Sequence, residues 1–229
     1  MTTSKEPDFK KCCVLANDLL AVANCISTFP YSIKKLVKEQ TDVKICSFTT
    51  AVEKYHVLVK PFGSDSACLV EYKGAYIIFY NDREEGYRIK FSICHELGHV
   101  LLGHKMDLDG NDPLYGVQEI EANFFAAQLL MPEQLLRECL RRGYTVSIEY
   151  IMDKFVVSED AAKRRRTTLG KTHYDWRSNE EKIYDDIILK RYESFLNKIA
   201  PKNNEVDYYY DEYDRQRERD SWMYPRISR

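Results

Sequence analysis

The pentapeptide His95-Glu-Leu-Gly-His99 constrains the fold and the chemistry of this chain more than any other stretch. Two residues four positions apart on a helix lie on the same face, one turn apart. Their imidazoles can therefore reach one metal ion at about 2.0–2.1 Å. Glu96, beside the first histidine, is a candidate catalytic base, because it can take a proton from an attacking water without binding the metal itself.

The residues around this motif favour a buried helix. Most positions between Phe91 and Leu102 are apolar. Gly98 costs about 1 kcal/mol of helix propensity, so its presence predicts close backbone packing near the site. The alternative is a core helix that carries two hydrogen-bonded histidines and no metal.

A second predicted helix, over residues 119–132, offers a third ligand. A catalytic zinc site needs three protein ligands and an open position. Glu119 and Asn123 lie one turn apart on one face, so Glu119 is the candidate third ligand and Asn123 a candidate to orient a ligand histidine from behind. Glu121 is the alternative ligand, although it is rotated away by two residues. Both acids could instead lie in a solvated first turn, where they favour the helix dipole.

These two stretches together resemble one family. The sequence His-Glu-Leu-Gly-His, followed by Glu-x-Glu-Ala-Asn-x-Phe-Ala-Ala-x-Leu-Leu-Met-Pro, is similar to the ImmA/IrrE family of zinc metallopeptidases over roughly residues 55–170. In related gluzincins the ligand glutamate stands four residues before an Asp or Asn, which selects Glu119 here. The resemblance implies a zincin-like fold, a Zn²⁺ cofactor and regulatory cleavage of a helix-turn-helix repressor in a bacterial mobile element or stress response.

Composition narrows the other possibilities. The net charge of −2 gives no general argument for nucleic-acid or membrane binding. No apolar run reaches the roughly 18 residues of a membrane span, and the polar N-terminus lacks the pattern of a signal peptide. Seven cysteines, an odd number without a Cys-x-x-Cys pair, predict reduced thiols and a cytoplasmic location.

Residues 55–80 change to the period of strands. Strands are predicted over residues 55–60, 67–72 and 75–80. Lys73-Gly74 leaves room only for a tight turn, so the last two strands should form a β-hairpin. We expect a small antiparallel sheet beside the metal helix. An edge strand can hold a substrate backbone by β-augmentation, but the pattern does not say which strand is at the edge.

Two further side chains are candidates for contact with substrate. His104 lies five residues after His99, about 500° around a continuous helix, and therefore shares that face poorly. It is predicted to be a helix-end histidine, with substrate contact as the alternative. Tyr115, in the predicted loop of residues 105–118, is a candidate oxyanion donor, although a tyrosine hydroxyl more often satisfies local structure.

The segment of residues 147–169 predicts two short helices joined by a tight turn, with Ser158 as the cap of the second. In a DNA-binding helix-turn-helix, the first residues of the second helix meet the bases. Here they are Glu159 and Asp160, which face phosphates badly, and the basic run 163–166 can offset them on one side only. We predict structural or protein-contact use, with DNA binding as the alternative.

These features predict an α+β fold in four parts. We expect an N-terminal helical segment (1–50), a zincin-like metallopeptidase core (51–145), a helix-turn-helix-like helical region (146–200) and an acidic, aromatic tail (201–229). Further helices are expected over residues 9–26, 32–40, 133–142 and 178–200.

The predicted function is zinc-dependent cleavage of a protein substrate. His95, His99 and Glu119 would hold Zn²⁺, and Glu96 would act as base and then as acid toward the leaving amine. The rival hypothesis is a metal-stabilised regulator that binds a repressor or DNA and cuts nothing. Glu96 favours the enzyme, because a purely structural metal site has no need of a base.

Overall fold

The structure is a computed structural model that describes residues 6–57, 65–106, 108, 110–169, 171 and 177–202. In chain order its elements are α1 (Phe9–Val22), α2 (Ile33–Gln40), β1 (Lys44–Ser47), α3 (Phe48–Tyr55), β2 (Ala67–Tyr72), β3 (Ala75–Tyr80), α4 (Gly86–Leu102), α5 (Pro113–Leu130), α6 (Glu133–Arg141), α7 (Ile148–Phe155), α8 (Glu159–Thr168), α9 (Asn179–Arg191) and α10 (Glu193–Ile199). The predicted α+β class is confirmed.

Most of the predicted helices are present, because their start signals are local. Ser32 and Ser158 each accept a hydrogen bond from a backbone N–H in the first turn of α2 and α8, as capping serines do. The predicted helix over residues 9–26 is shorter and ends at Val22. The one predicted over residues 178–200 is divided at Tyr192 into α9 and α10.

The sheet has three strands in the order β1-β3-β2. The predicted hairpin is confirmed: β2 and β3 are antiparallel, and Lys73 and Gly74 both have positive φ angles, of 52° and 76°, as a tight hairpin turn requires. β1 was not predicted and runs parallel to β3, so the sheet is mixed. The strand predicted over residues 55–60 is wrong at Tyr55, the last residue of α3. Residues 58–60 lie outside the described part of the chain.

Helices α4 and α5 pack against each other at the centre of the fold. The sheet packs on α4, while α1 and α8 pack on α5. Buried residues from these elements and from the C-terminal helices form one hydrophobic cluster, so the predicted N-terminal segment and the C-terminal helices share a core with the metal helices.

The predicted pair of short helices at residues 147–169 is α7 and α8, and the two pack against each other. Val156 takes the left-handed conformation between them, with φ 52°. Arg165, in the predicted basic run, is fully buried and faces the core. The tail from residue 203 onward lies outside the described residues. None of the helices that the structure describes has the length and apolarity needed to cross a lipid bilayer.

Candidate metal centre

The close approach of α4 and α5 depends on Gly98. A Cβ atom at this position would lie 3.1 Å from Phe125 Cδ1 and 3.2 Å from the Ala122 Cα of α5. A side chain would therefore push the two helices apart, and the predicted close backbone packing at Gly98 is confirmed. Because the helices meet here, Glu119 on α5 lies beside the two histidines of α4.

The ligand-type atoms of His95, His99 and Glu119 converge. The two Nε2 atoms are 3.0 Å apart, and the Glu119 carboxylate oxygens lie 3.4 Å from His95 Nε2 and 3.3 Å from His99 Nε2. Ligand atoms about 2.0–2.1 Å from a tetrahedral zinc ion are about 3.3 Å from one another. Among the described residues, this is the group of histidine, cysteine and acidic side chains that can hold one metal ion.

The electrostatics of this group favour a cation. Hydrogen bonds from His95 and His99 hold the pKa of Glu119 well below its usual range, so its carboxylate stays ionised. Burial acts to lower the pKa of His95, but the hydrogen bond to Glu119 and the charges of Glu96 and Glu119 outweigh burial and raise that pKa. Two imidazoles and one carboxylate are a donor set that zinc accepts.

Glu96 lines an open cleft of about 330 Å³ together with the three converging residues. The lining also includes residues 67–69 of β2, which is an edge strand of the described sheet. Burial raises the pKa of Glu96, although the charges of His95 and His99 act in the other direction. A carboxylate with a raised pKa is better suited to proton transfer near neutral pH.

Asn123 supports the first histidine. Its side chain makes a hydrogen bond with His95, and its amide nitrogen donates to the backbone carbonyl of Glu119 at 2.7 Å. The contact is of the kind expected for a residue that orients a metal ligand from behind.

Glu121, the alternative third ligand, points away from the converging atoms. Its Oε2 lies 2.9 Å from His104 Nε2, and its Oε1 accepts a hydrogen bond from the backbone N–H of Asp8 at 2.6 Å. The geometry therefore favours Glu119, the acid on the face shared with Asn123.

His104 follows directly after the end of α4, as predicted for a helix-end histidine, but the angle of about 500° does not apply to it because the helix does not continue to this residue. Helix α4 ends at Leu102, and Gly103 takes a left-handed conformation with φ 71°. This turn reverses the chain and sets His104 Nδ1 3.0 Å from His99 Nδ1. Substrate contact by His104 does not fit this position, because its side chain is only 4% exposed. Gly103 directly follows the apolar run and could have indicated this from the sequence. Helices often end at a glycine in the left-handed conformation, and residues beyond it no longer follow the helical spacing.

The candidate oxyanion donor Tyr115 lines the cleft and is 41% exposed. The loop predicted over residues 105–118 is wrong from Pro113 onward, because α5 begins there with Asp112 as its N-cap. Tyr115 therefore lies on α5, one turn before Glu119. Gln118 was not singled out from the sequence. Its buried side-chain amide can be oriented so that the oxygen accepts a hydrogen bond from the Lys105 backbone N–H at 2.6 Å and the nitrogen donates to the Lys105 carbonyl at 3.3 Å. These two contacts fix the loop beside the cleft.

Two predictions about cysteine are consistent with the structure. All seven cysteines are free thiols. Cys94, next to His95, is fully buried in the hydrophobic cluster, and burial raises the pKa of its thiol. It packs and does not extend the metal-binding group.

An α+β domain in which two histidines of one helix and a glutamate of the next converge beside an edge strand has the architecture of a metallopeptidase-like domain. The model of the peptidase M78 family, described as the IrrE N-terminal-like domain, matches residues 39–167, which is more than half of the 229 residues. The chain belongs to this family, also called ImmA/IrrE. A search of curated proteins gave no match.

Proposed function

We propose that this protein is a zinc-dependent endopeptidase that cleaves a protein substrate. The observation that carries the proposal is the convergence of His95, His99 and Glu119 at distances of 3.0 to 3.4 Å in an open cleft, with Glu96 beside them. Membership of a peptidase family supports the same conclusion.

The residues of the cleft divide the work of peptide hydrolysis. His95, His99 and Glu119 would hold Zn²⁺, which supplies a Lewis acid when bound. Glu96 takes a proton from the attacking water and returns it to the leaving amine. Tyr115, exposed in the same cleft, is available to donate a hydrogen bond to the oxygen on which negative charge develops.

The substrate is proposed to bind along β2. This strand has a neighbour on one side only in the described sheet, and its residues 67–69 face the cleft. An extended peptide can pair with such an edge through backbone hydrogen bonds. We propose a helix-turn-helix repressor as the protein substrate, since regulatory cleavage of such repressors is what the family resemblance implies.

DNA binding by α8 is not part of the proposal. Arg165 is fully buried and donates a hydrogen bond to Gln128, while Lys163 pairs with Glu159 at 2.6 Å. These contacts engage two of the four basic residues within the protein and leave a small basic surface.

Cleavage can be tested directly. The purified protein is incubated with a purified helix-turn-helix repressor as the candidate substrate, with and without a zinc chelator, and fragments are identified by mass spectrometry. We expect defined fragments that disappear with the chelator and return when zinc is added back. Equal cleavage with and without chelator would contradict a metal-dependent reaction. An intact repressor bound tightly to the protein would favour the non-proteolytic regulator.

A further inference from the structure

We propose that His104 and Glu121 are positioning residues that fix the tautomer of His99, and that the N-terminus of α1 completes this arrangement. The inference rests on the proposed metal site, because it concerns which nitrogen of His99 is free to bind a metal. The contacts run from the Asp8 backbone through Glu121 and His104 to His99.

The first step is the carboxylate of Glu121. Its Oε1 accepts a hydrogen bond from the Asp8 backbone N–H at 2.6 Å, and its Oε2 lies 2.9 Å from His104 Nε2. An ionised carboxylate only accepts hydrogen bonds. The proton between Glu121 and His104 therefore belongs to Nε2 of His104.

The second step passes through the ring of His104. A neutral imidazole with its proton on Nε2 has a lone pair on Nδ1. This Nδ1 lies 3.0 Å from His99 Nδ1, and a hydrogen bond between the two nitrogens needs one donor. His99 therefore carries its proton on Nδ1. Its Nε2 is left with a lone pair, and Nε2 is the atom that lies 3.0 Å from His95 Nε2 and 3.3 Å from Glu119.

The opposite arrangement is incompatible with a metal ligand. If His104 donated through Nδ1, the neutral ring of His99 would carry its own proton on Nε2, which would point into the converging ligand atoms. A ligand histidine normally donates its other ring N–H to a carboxylate or carbonyl. In this protein His104 lies between His99 and the Glu121 carboxylate, so the ring N–H of His99 is connected to a carboxylate through a second imidazole ring.

The fold holds this relay rigidly. The side chains of His104 and Glu121 are only 4% and 14% exposed. Asp8 is the N-cap of α1, so Glu121 lies at a helix N-terminus, where the dipole favours a negative charge. On the other side, Lys11 of α1 donates to the Leu102 carbonyl at 2.7 Å, next to the turn that carries His104. The N-terminal end of α1 therefore contacts both Glu121 and the turn that carries His104.

Two substitutions of His104 separate a positioning role from simple packing. In His104→Gln, the amide oxygen can accept from His99 Nδ1–H while the amide nitrogen donates to Glu121, so the proton pattern is kept. In His104→Leu, an apolar side chain of similar size breaks it. We expect the zinc dissociation constant, measured by competition with a chromophoric chelator, to rise about 10- to 100-fold in His104→Leu. In His104→Gln it should stay within about threefold of the wild type.

Glu121→Gln tests the other end. The glutamine has one acceptor where two donors meet, so its amide N–H should face His104 and reverse the proton order. We expect zinc to bind about 10- to 100-fold more weakly than to the wild type. If Glu121→Gln and His104→Leu both bind zinc as tightly as the wild type, or if His104→Gln loses as much affinity as His104→Leu, the positioning proposal is overturned.

A second readout does not depend on zinc at all. Long-range ¹H–¹⁵N spectra of the chelator-treated full-length protein report the tautomer of each of its five histidines. The His99 signals are assigned through a His99→Gln spectrum. We expect His99 to carry its proton on Nδ1 in the wild type and in His104→Gln, and to shift toward Nε2–H in Glu121→Gln. A wild-type His99 with its proton on Nε2 overturns the proposal. Failure of the wild type to bind zinc would contradict the proposed function, while the tautomer would still decide the positioning role.

Discussion

Two polar clusters lie near opposite ends of α5, and they are built on different principles. The cleft cluster consists of His95, Glu96, His99 and Glu119. The buried network consists of Gln128, Glu133, Gln134, Arg165, Arg177 and Asp185. In the cleft cluster, nitrogen and oxygen atoms converge on one point and face open space. In the buried network, acids face guanidinium groups or amides and all six residues are shielded from solvent.

Most members of the buried network form hydrogen bonds with one another. Asp185 accepts hydrogen bonds from Arg177 and from Gln134 at 2.8 Å, and the Gln128 amide donates to Gln134 at 3.0 Å. These contacts tie α5, α6 and α9 together. Acids paired with guanidinium groups and amides in the interior are typical of a structural role, whereas the converging atoms of the cleft cluster are placed so that they could hold a metal ion.

Arg165 is the member of the buried network whose hydrogen bonds are incomplete. Its Nε and Nη1 atoms find no hydrogen-bond partner in the described part of the chain, and burial lowers the pKa of its guanidinium to about 10. The charge lies over the Phe124 ring, 5.7 Å from its centre, where the aromatic face attracts a cation. Helix α8 therefore directs this basic residue into the interior of the fold.

The largest expected effect is at the cleft cluster. Glu96→Gln keeps the size of the side chain but cannot take the proton of the attacking water. Because proton transfer by a positioned group contributes about 10²- to 10⁴-fold in rate, cleavage of the repressor should fall by at least about a hundredfold. Zinc content and the free energy of unfolding should stay unchanged.

The matched control for Glu96→Gln is Glu193→Gln, an exposed glutamate of α10, which should cleave normally. A second test is made in cells, where cleavage of the repressor should relieve repression of its target genes. If the Glu96→Gln variant still binds zinc and relieves repression as fully as the wild type, proteolysis is not the function of the protein.

The buried network should govern stability and leave metal binding untouched. Asp185→Ala removes an acid from the buried Arg177, and breaking a buried ion pair from one side costs about 3 kcal/mol or more. We expect a loss of that size in the free energy of unfolding, measured by urea denaturation. Asp186→Ala, at the exposed neighbouring acid, should have little effect. If Asp185→Ala weakened zinc binding at an equal folded fraction, the two clusters would not be independent.

Gly98→Ala acts between the two clusters, at the contact of α4 and α5. The new methyl group would meet the backbone of Ala122 at 3.2 Å. Overpacking of this kind costs about 1–3 kcal/mol, and alanine returns about 1 kcal/mol of helix propensity. We expect a small net loss of stability, measured by thermal unfolding, and weaker zinc binding because Glu119 moves away from the histidines.

Gly116→Ala, on α5, is the control for this change, since nothing lies within 4 Å of the added Cβ. It should be neutral or slightly stabilising. Unchanged zinc affinity in Gly98→Ala would mean that the site tolerates a wider separation of the two helices.

The smallest effect is expected at the exposed basic residues of α8. Replacing Arg164 and Arg166 by alanine should leave cleavage, zinc content and stability unchanged. The wild type should bind duplex DNA weakly, with a dissociation constant of about 10⁻⁴ to 10⁻⁶ M that rises steeply with salt. Sequence-specific binding in the nanomolar range, lost in this double variant, would give α8 a role beyond the interior of the fold.

Several features could be predicted from the sequence because the forces behind them act within one or two turns of chain. The helical spacing of His95 and His99, the one-turn spacing of Glu119 and Asn123, the Ser158 cap and the Lys73-Gly74 turn are all local patterns. Each was found where it was expected. Gly98 even indicated a close contact, although it could not name Phe125 and Ala122 as the partners.

Contacts between distant segments were decided only by the tertiary structure. β1 joins the sheet beside β3, more than 30 residues away, and nothing in its four residues encodes that partner. Glu121 receives a hydrogen bond from Asp8, which is 113 positions earlier, and Arg165 points inward because α8 packs on α5. One left-handed residue at Gly103 then brings His104 back to His99. Local periodicity determined which helices carry the site, and the packing of α1, α4 and α5 decided which side chains support it.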